Sequence, residues 1–170
     1  NNGTIKIWNI SKTLNMVLDK TLTGHSDKIN SLVLLPNGTL GSCSNDNTIK
    51  IWNPNNGQLI RTLTGHKDNV RDLCIFKNIL VSCSEDRTIK YWGNNSIDKF
   101  YEQQLDTKDN NALIHPIRKK DKIQQLLLNR WHSVINYDNI VNLRTLQGHT
   151  DVVHALAVLP NGHLASGDFN

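Results

Sequence analysis

His66, Ser82 and Asp86 are the residue types of a hydrolase triad: a hydroxyl nucleophile, an imidazole to take its proton, and a carboxylate to orient the imidazole. Taken alone they would suggest acyl transfer. The same three types recur, however, as His25, Ser42 and Asp46. His to Ser spans 17 residues in the earlier set and 16 in the later, and Ser to Asp spans 4 in both. Each Asp is followed 6 residues later by a tryptophan, Trp52 or Trp92. A nucleophile is expected once, facing a cleft. A set that recurs, tied each time to a tryptophan, reads as a structural staple, and no catalytic constellation is expected.

Other site chemistries fare no better. His25, His66 and His149 fall in different repeats, too far apart to form one metal shell. There is no glycine-rich phosphate loop. No cofactor and no metal are therefore expected. Cys43, Cys74 and Cys83 lack the Cys-x-x-Cys spacing of a metal site, and three cannot all pair. Cys43 and Cys83 occupy equivalent Ser-Cys-Ser positions, where cysteine serves as a small buried hydrophobe. That usage suits a reducing compartment, so an intracellular, cytoplasmic setting is expected.

The elements that position these residues are set by a repeat. Gly24-His25 and Gly65-His66 are 41 residues apart, and Gly148-His149 follows after a further 83. A period near 40 is that of a four-stranded unit. Thr4-Ile5-Lys6-Ile7-Trp8-Asn9 returns unchanged at Thr48–Asn53 and again as Thr88–Gly93 with two changes. Within one period, Ile29 to Leu34 reads as a first strand, Pro36-Asn37-Gly38 as a turn, and Leu40 to Ser44 as a second strand. Asn45-Asp46-Asn47 turns into a third strand with alternating Ile49 and Ile51, and Leu59 to Leu63 is the fourth.

These motifs closely resemble those of the WD-repeat family over residues 1–93 and 142–170. The Asp that family places after Trp is here Asn9, Asn53 or Gly93. The resemblance implies an all-β propeller arc of about four blades, each a four-stranded antiparallel sheet. It also implies a chain of hydrogen bonds from Trp to Ser, Ser to His and His to Asp: Trp52–Ser42–His25–Asp46 and Trp92–Ser82–His66–Asp86. His149 and Ser166 keep part of the set in the last unit, and Trp8 keeps part in the first. Such propellers close with about seven blades, so the arc is expected to be incomplete. The absence of an initiator before Asn1 likewise points to a piece of a longer chain, the rest of which would complete the propeller.

The expected divisions are a half-blade at 1–23 carrying the third and fourth strands, blades at 24–64 and 65–105, and a half-blade at 148–170 carrying the first two strands. The span 106–147 reads as a degenerate blade or an insertion. In the first reading Ala112 to Ile117 and Ile123 to Leu128 are strands and Asn142 to Leu146 is the fourth; in the second, Lys122 to Trp131 forms a short amphipathic helix. A four-blade ring closed by pairing Leu164–Gly167 with Thr4–Trp8 is a further possibility.

Function follows from the family likeness: a non-catalytic scaffold that binds other proteins or peptides. The alternative is a substrate-recruiting or regulatory propeller region of a larger multidomain enzyme, such as a ubiquitin ligase or a signalling ATPase. The likeness places Lys28 and Asn30, Asn69 and Arg71, and Val152 and His154 on the partner-binding face. The long cations Lys28 and Arg71 suit an acidic segment. Net charge is +4, and the densest basic cluster, Arg118-Lys119-Lys120-Asp121-Lys122, is too small to make nucleic acid the expected partner. No apolar run is long enough to span a membrane, and no membrane partner is expected.

Overall fold

The computed structural model describes residues 3–10, 16–93 and 140–169. All regular structure in them is β, and no helix there is long and apolar enough to cross a membrane. Strands β1 (Thr4–Ile10) and β2 (Met16–Thr23) form a two-stranded sheet. Strands β3 (Ile29–Leu34), β4 (Leu40–Ser44), β5 (Ile49–Trp52) and β6 (Leu59–Leu63) form a four-stranded one in sequential order. Strands β7 (Val70–Phe76), β8 (Ile79–Ser84), β9 (Ile89–Gly93) and β10 (Val141–Leu146) form the third sheet. Strands β11 (Val153–Val158) and β12 (Leu164–Asp168) form the fourth.

Local sequence explains the hairpins. Lys77 and Asn78 both have positive φ, 49° and 64°, the geometry of a two-residue turn whose twist matches that of the strands. Asn47 and Arg87 take left-handed φ of 66° and 65° at the equivalent corner of successive units. Asn37 stiffens its own turn by accepting from the Thr39 amide at 3.0 Å and the Thr39 hydroxyl at 2.7 Å.

The sheets stack face to face, so both faces of an interior sheet are apolar. Ile5 and Leu22 of the first sheet meet Trp52 of the second. The other face of the second sheet presents Cys43, Ile49 and Ile51 to Leu73, Leu80 and Trp92 of the third. The far face of the third presents Val81, Cys83 and Ile89 to Val153, Leu156 and Leu164 of the fourth. Each layer repeats the one before it because the sequence repeats, which is how a solenoid-like array buries its core. Among the described residues β1 pairs with β2 and β12 with β11, so no composite sheet joins Leu164–Gly167 to Thr4–Trp8.

One expected division needs correction. β10 pairs directly with β9, with Val141 opposite Gly93 and Leu146 opposite Ile89. It is the fourth strand of the unit begun at His66, which therefore does not end at residue 105. The repeat confirms the assignment chemically. Lys50 Nζ donates to Thr62 Oγ1 at 2.9 Å in one sheet, and Lys90 Nζ donates to Thr145 Oγ1 at 3.0 Å in the next. The physical reason is that closure entropy grows only slowly with loop length, so a distant segment with the right pattern can still complete a sheet. The strands expected at Ala112–Ile117 and Ile123–Leu128, and the helix expected at Lys122–Trp131, lie outside the described residues.

Because residues 93 and 141 already face each other, a short turn between them should serve the sheet as well as the native connection does. Replacing residues 94–139 with a tight Asn-Gly turn is expected to move the melting temperature by less than about 4 °C, the shift of roughly 1 kcal/mol. Loss of the cooperative melt by circular dichroism would show that the excised segment is part of the fold.

Candidate functional site

The two triad-like sets have nearly identical geometry. His25 Nε2 lies 2.8 Å from Ser42 Oγ, and His25 Nδ1 lies 2.7 Å from Asp46 Oδ2. In the next unit the distances are 2.7 Å from His66 Nε2 to Ser82 Oγ and 2.8 Å from His66 Nδ1 to Asp86 Oδ2. Each hydroxyl also accepts from an indole: Trp52 Nε1 reaches Ser42 Oγ at 2.8 Å, and Trp92 Nε1 reaches Ser82 Oγ at 2.8 Å. The aspartate, an acceptor only, fixes the proton on Nδ1 of the neutral ring. Nε2 is then an acceptor, so the serine hydroxyl donates to the ring while receiving the indole proton.

That arrangement orients a serine as a hydrolase would and then seals it. Ser42 and Ser82 are wholly buried, and each hydroxyl already accepts an indole N–H, so neither is open to a substrate carbonyl. Gly24 and Gly65 lie against these indoles: a Cβ would stand 3.0 Å from Trp52 Cη2 at Gly24 and 3.4 Å from Trp92 Cη2 at Gly65. At Gly24 the glycine is thus a packing requirement, whereas Gly65 and Gly148, with φ of 145° and 153°, hold a backbone conformation that side chains rarely adopt. Among the described residues no group of His, Cys, Asp and Glu is placed to hold a metal ion.

Residues outside the sequence-derived sets complete the staple. Asp46 accepts from the Ser26 amide at 3.1 Å, the Thr48 amide at 3.0 Å and the Thr48 hydroxyl at 2.6 Å. Asp86 has the same company in Lys67 and Thr88. Ser44 Oγ takes the Asp46 amide and donates to the Asp27 carbonyl, as Ser84 does with Asp86 and Asp68. Thr48, Thr88, Ser44 and Ser84 also recur in register, and that recurrence is the signal that would have found them. In the fourth sheet His149 Nε2 lies 2.7 Å from Ser166 Oγ, and His149 Nδ1 lies 2.8 Å from Asp168 Oδ2. Asp168 stands two residues after its serine rather than four, so spacing alone missed it.

Burial sets the protonation. It lowers the His25 pKa below its ordinary value, outweighing the hydrogen bond and charge of Asp46. For Asp86 burial pushes upward, but the hydrogen bonds from His66, Thr88 and the Lys67 amide outweigh it and hold the carboxyl well below the usual range. Asp46 is lowered in the same way, burial again being overcome by Thr48, His25 and the Ser26 amide. Burial also raises the thiols, Cys43 and Cys83 to about 12 and Cys74 to about 11.

The six expected partner-binding residues meet different fates. Lys28 and Asn30 are exposed at the start of β3. Arg71, expected to be a free cation, is half-buried and engaged: Nε donates to Glu85 Oε1 at 2.7 Å and Nη2 donates to the same oxygen. Its Nη1 reaches Asn45 Oδ1 of the preceding unit at 3.4 Å. Asn69 donates to the other oxygen of Glu85 at 2.9 Å. Asn30 donates to Asn45 at 2.8 Å and to the Val70 carbonyl at 2.7 Å. Val152 is half-buried, its amide donating to Asp151. His154 stacks edge-on against Phe169, with ring centroids 4.0 Å apart. The structure therefore groups Asn30–Asn45, Arg71–Glu85 and His154–Phe169 at one position of successive units. Two of these pairs also stitch adjacent sheets. Sequence reasoning could not see that Glu85 spends the charge of Arg71.

Comparison with known proteins places this geometry. A family model described as "WD domain, G-beta repeat" matches residues 16–53, 57–93 and 140–170, more than half of the chain. Over 73 residues the chain is 36% identical to the nuclear distribution protein PAC1 of Komagataella phaffii, a stretch covering 42% of this chain and 15% of that protein. The crystal structure of the WD40 beta propeller domain of Doa1 matches with a TM-score of 0.61 at 23% identity, covering 97% of this chain and 40% of that one. At that identity the likeness speaks to fold alone. The chain spans less than half the length of either.

Two outcomes follow from the staple. Asp86→Ala removes four acceptor contacts and leaves the buried His66 Nδ1 with only the long 3.4 Å contact to Thr88 Oγ1. The expected loss is about 1–3 kcal/mol, read as a lower urea midpoint at unchanged slope. Stability should also fall with acidity in two stages. Because His25 is harder to protonate folded than unfolded, its contribution declines as the pH drops below the ordinary 6.5. The lowered Asp46 and Asp86 contribute stability above their ordinary 3.8 that is lost as the pH falls below it toward their folded values. Urea titrations at several pH values check this; a flat profile between pH 7 and 3 would contradict it.

Proposed function

Because the chain belongs to the WD-repeat family, we propose that it is a non-catalytic scaffold whose partners are proteins docking on the rim where β3, β7 and β11 begin. WD-repeat propellers generally serve as protein-interaction scaffolds and are generally non-catalytic. The observation that carries the reading is the sealed serine. In both complete units the only triad-like hydroxyl is buried with its proton and its acceptor site already used. What such units offer outward is a set of loops held rigidly by buried hydrogen bonds, the usual place for recognition on a stiff scaffold.

The engagement of Arg71 changes the chemistry of the partner. The exposed cations on this rim are Lys28, Lys67 and Arg87, interleaved with Asp27, Asp68 and Asp151. Each aspartate caps the amide of the residue after it, at 2.7–2.8 Å. A rim of alternating sign favours a segment of mixed charge over a purely acidic one, and charge complementarity there sets specificity and on-rate. An intracellular setting fits the three free thiols.

The test is a rim variant that spares the buried network: Lys28→Glu, Lys67→Glu and Arg87→Glu together. Immobilised protein should lose most of its capture of a mixed-charge peptide library, with the melting temperature unchanged. Unaltered capture, combined with its loss on neutralising Arg118, Lys119, Lys120 and Lys122, would move the interaction site away from this rim.

A further inference from the structure

The rim carries one side-chain pair per unit, and the pairs differ in kind. Asn30 pairs with Asn45, Arg71 with Glu85 and His154 with Phe169. The backbone beneath the first two is the same. The Asn45 amide donates to the Lys28 carbonyl at 2.9 Å, and the Glu85 amide donates to the Asn69 carbonyl at 3.0 Å. The register irregularities at Ile29/Ser31 and Val70/Asp72 fall on Asn30 and Arg71. Only the side chains therefore set the two positions apart: two carboxamides in one unit, a guanidinium and a carboxylate in the next.

Glu85 is held as a bound ligand would be. Arg71 Nε donates to Glu85 Oε1 at 2.7 Å, and Nη2 donates to the same oxygen. Asn69 Nδ2 donates to Oε2 at 2.9 Å. Both carboxylate oxygens thus accept, and the bonds from Arg71 are charge-assisted, roughly twice as strong as neutral ones. Arg71 is steered from its other end as well. Its Nη1 reaches Asn45 Oδ1 at 3.4 Å, and that oxygen also accepts from Asn30 Nδ2 at 2.8 Å. The guanidinium is thereby oriented between two units before any partner arrives.

Stability does not account for a charged pair here. The side chains of Arg71 and Glu85 are 26% and 20% exposed, and an ion pair that keeps this much solvent contributes little to folding. Asn30 and Asn45 fill the equivalent place without any charge. What the charged pair changes is the field that a docking segment meets, which governs the choice among partners.

We propose that Glu85 is a specificity-determining residue: it occupies, from within its own chain, a carboxylate site made by Arg71 and Asn69, and so turns acidic segments away from the rim. The inference rests on the rim being the docking face and names the residue that sets its charge balance. With Glu85 in place, the charge of Arg71 is matched and two of its donors are engaged. An incoming carboxylate must displace one that is already tethered, and so competes against a high effective concentration. Without Glu85 the same donors take a carboxylate from outside, the guanidinium holding one oxygen and the Asn69 carboxamide the other.

The probe is a hexaglutamate peptide titrated onto the full chain at physiological ionic strength, where distant charges are screened. Glu85→Asn copies the residue of the preceding unit and should bind about tenfold tighter than the unaltered chain, the effect of one charge-assisted contact. Glu85→Gln, neutral and of unchanged length, is the companion variant and should shift affinity in the same direction, so that loss of fold in one leaves the other to decide. Adding Arg71→Gln to Glu85→Asn should return the affinity to its starting value. Asp68→Asn removes one negative charge from the same rim without releasing a guanidinium, and should gain little. Unchanged affinity in the folded Glu85 variants, an equal gain in Asp68→Asn, or a gain that survives Arg71→Gln overturns the proposal. Failure of the docking reading shows in a different measurement, capture of the mixed-charge library that ignores the Lys28, Lys67 and Arg87 reversals. The hexaglutamate titration uses no library and decides the role of Glu85 by itself.

Discussion

A serine hydroxyl that gives its only proton to a histidine and receives one from an indole is the constraint from which the rest of each unit follows. Ser42 lies on the second strand, Trp52 on the third, His25 before the first, and Asp46 in the turn between second and third. Satisfying all four at once fixes the register of β4 against β5 and the path of the chain entering β3. His25, Ser42 and Trp52 cannot be relieved by water, because they are buried, so an error in register leaves polar groups unpaired at about 1–3 kcal/mol each. The staple thus contributes as much by excluding other registers as by its own bonds.

Stacking makes the units interdependent. Each interior sheet is apolar on both faces, and the polar links between sheets are few and specific. Asn30 donates to the carbonyl of Val70, and Asp72 Oδ2 accepts from the amide of Leu156 at 3.0 Å. Arg71 joins Glu85 in its own unit to Asn45 in the one before. The first two of these bonds cross between the first strands of neighbouring units. The rim proposed for partner docking is therefore also a seam holding the sheets together, which is why Asn30 and Arg71 are already committed.

Much of this was legible because repetition turns spacing into evidence. Two copies of His, Ser, Asp and Trp at matched intervals predict the strand layout and argue against a nucleophile. Legibility failed where a contact is not periodic. Spacing assigns Asn142–Leu146 to a separate unit, whereas Leu146 stands opposite Ile89 and completes the sheet of β9. Arg71 looked free because Glu85, its partner, has Asn45 as its counterpart one unit earlier, and asparagine carries no charge to notice. Asp168 reaches the same histidine nitrogen from the strand end instead of the turn, a substitution in space that sequence offsets do not record.

The buried thiols carry a chemical consequence. With Cys43 and Cys83 raised to about 12, the thiolate present at neutral pH is on the order of one part in 10⁵, and the thiolate is the form that attacks peroxides and electrophiles. Asp72 contributes by placing its negative charge near all three sulfurs, including the half-buried Cys74. Three cysteines in a small chain would ordinarily be three sites for oxidative damage. Here the same packing that makes sulfur a convenient filler between sheets also holds it in the protonated, less nucleophilic form.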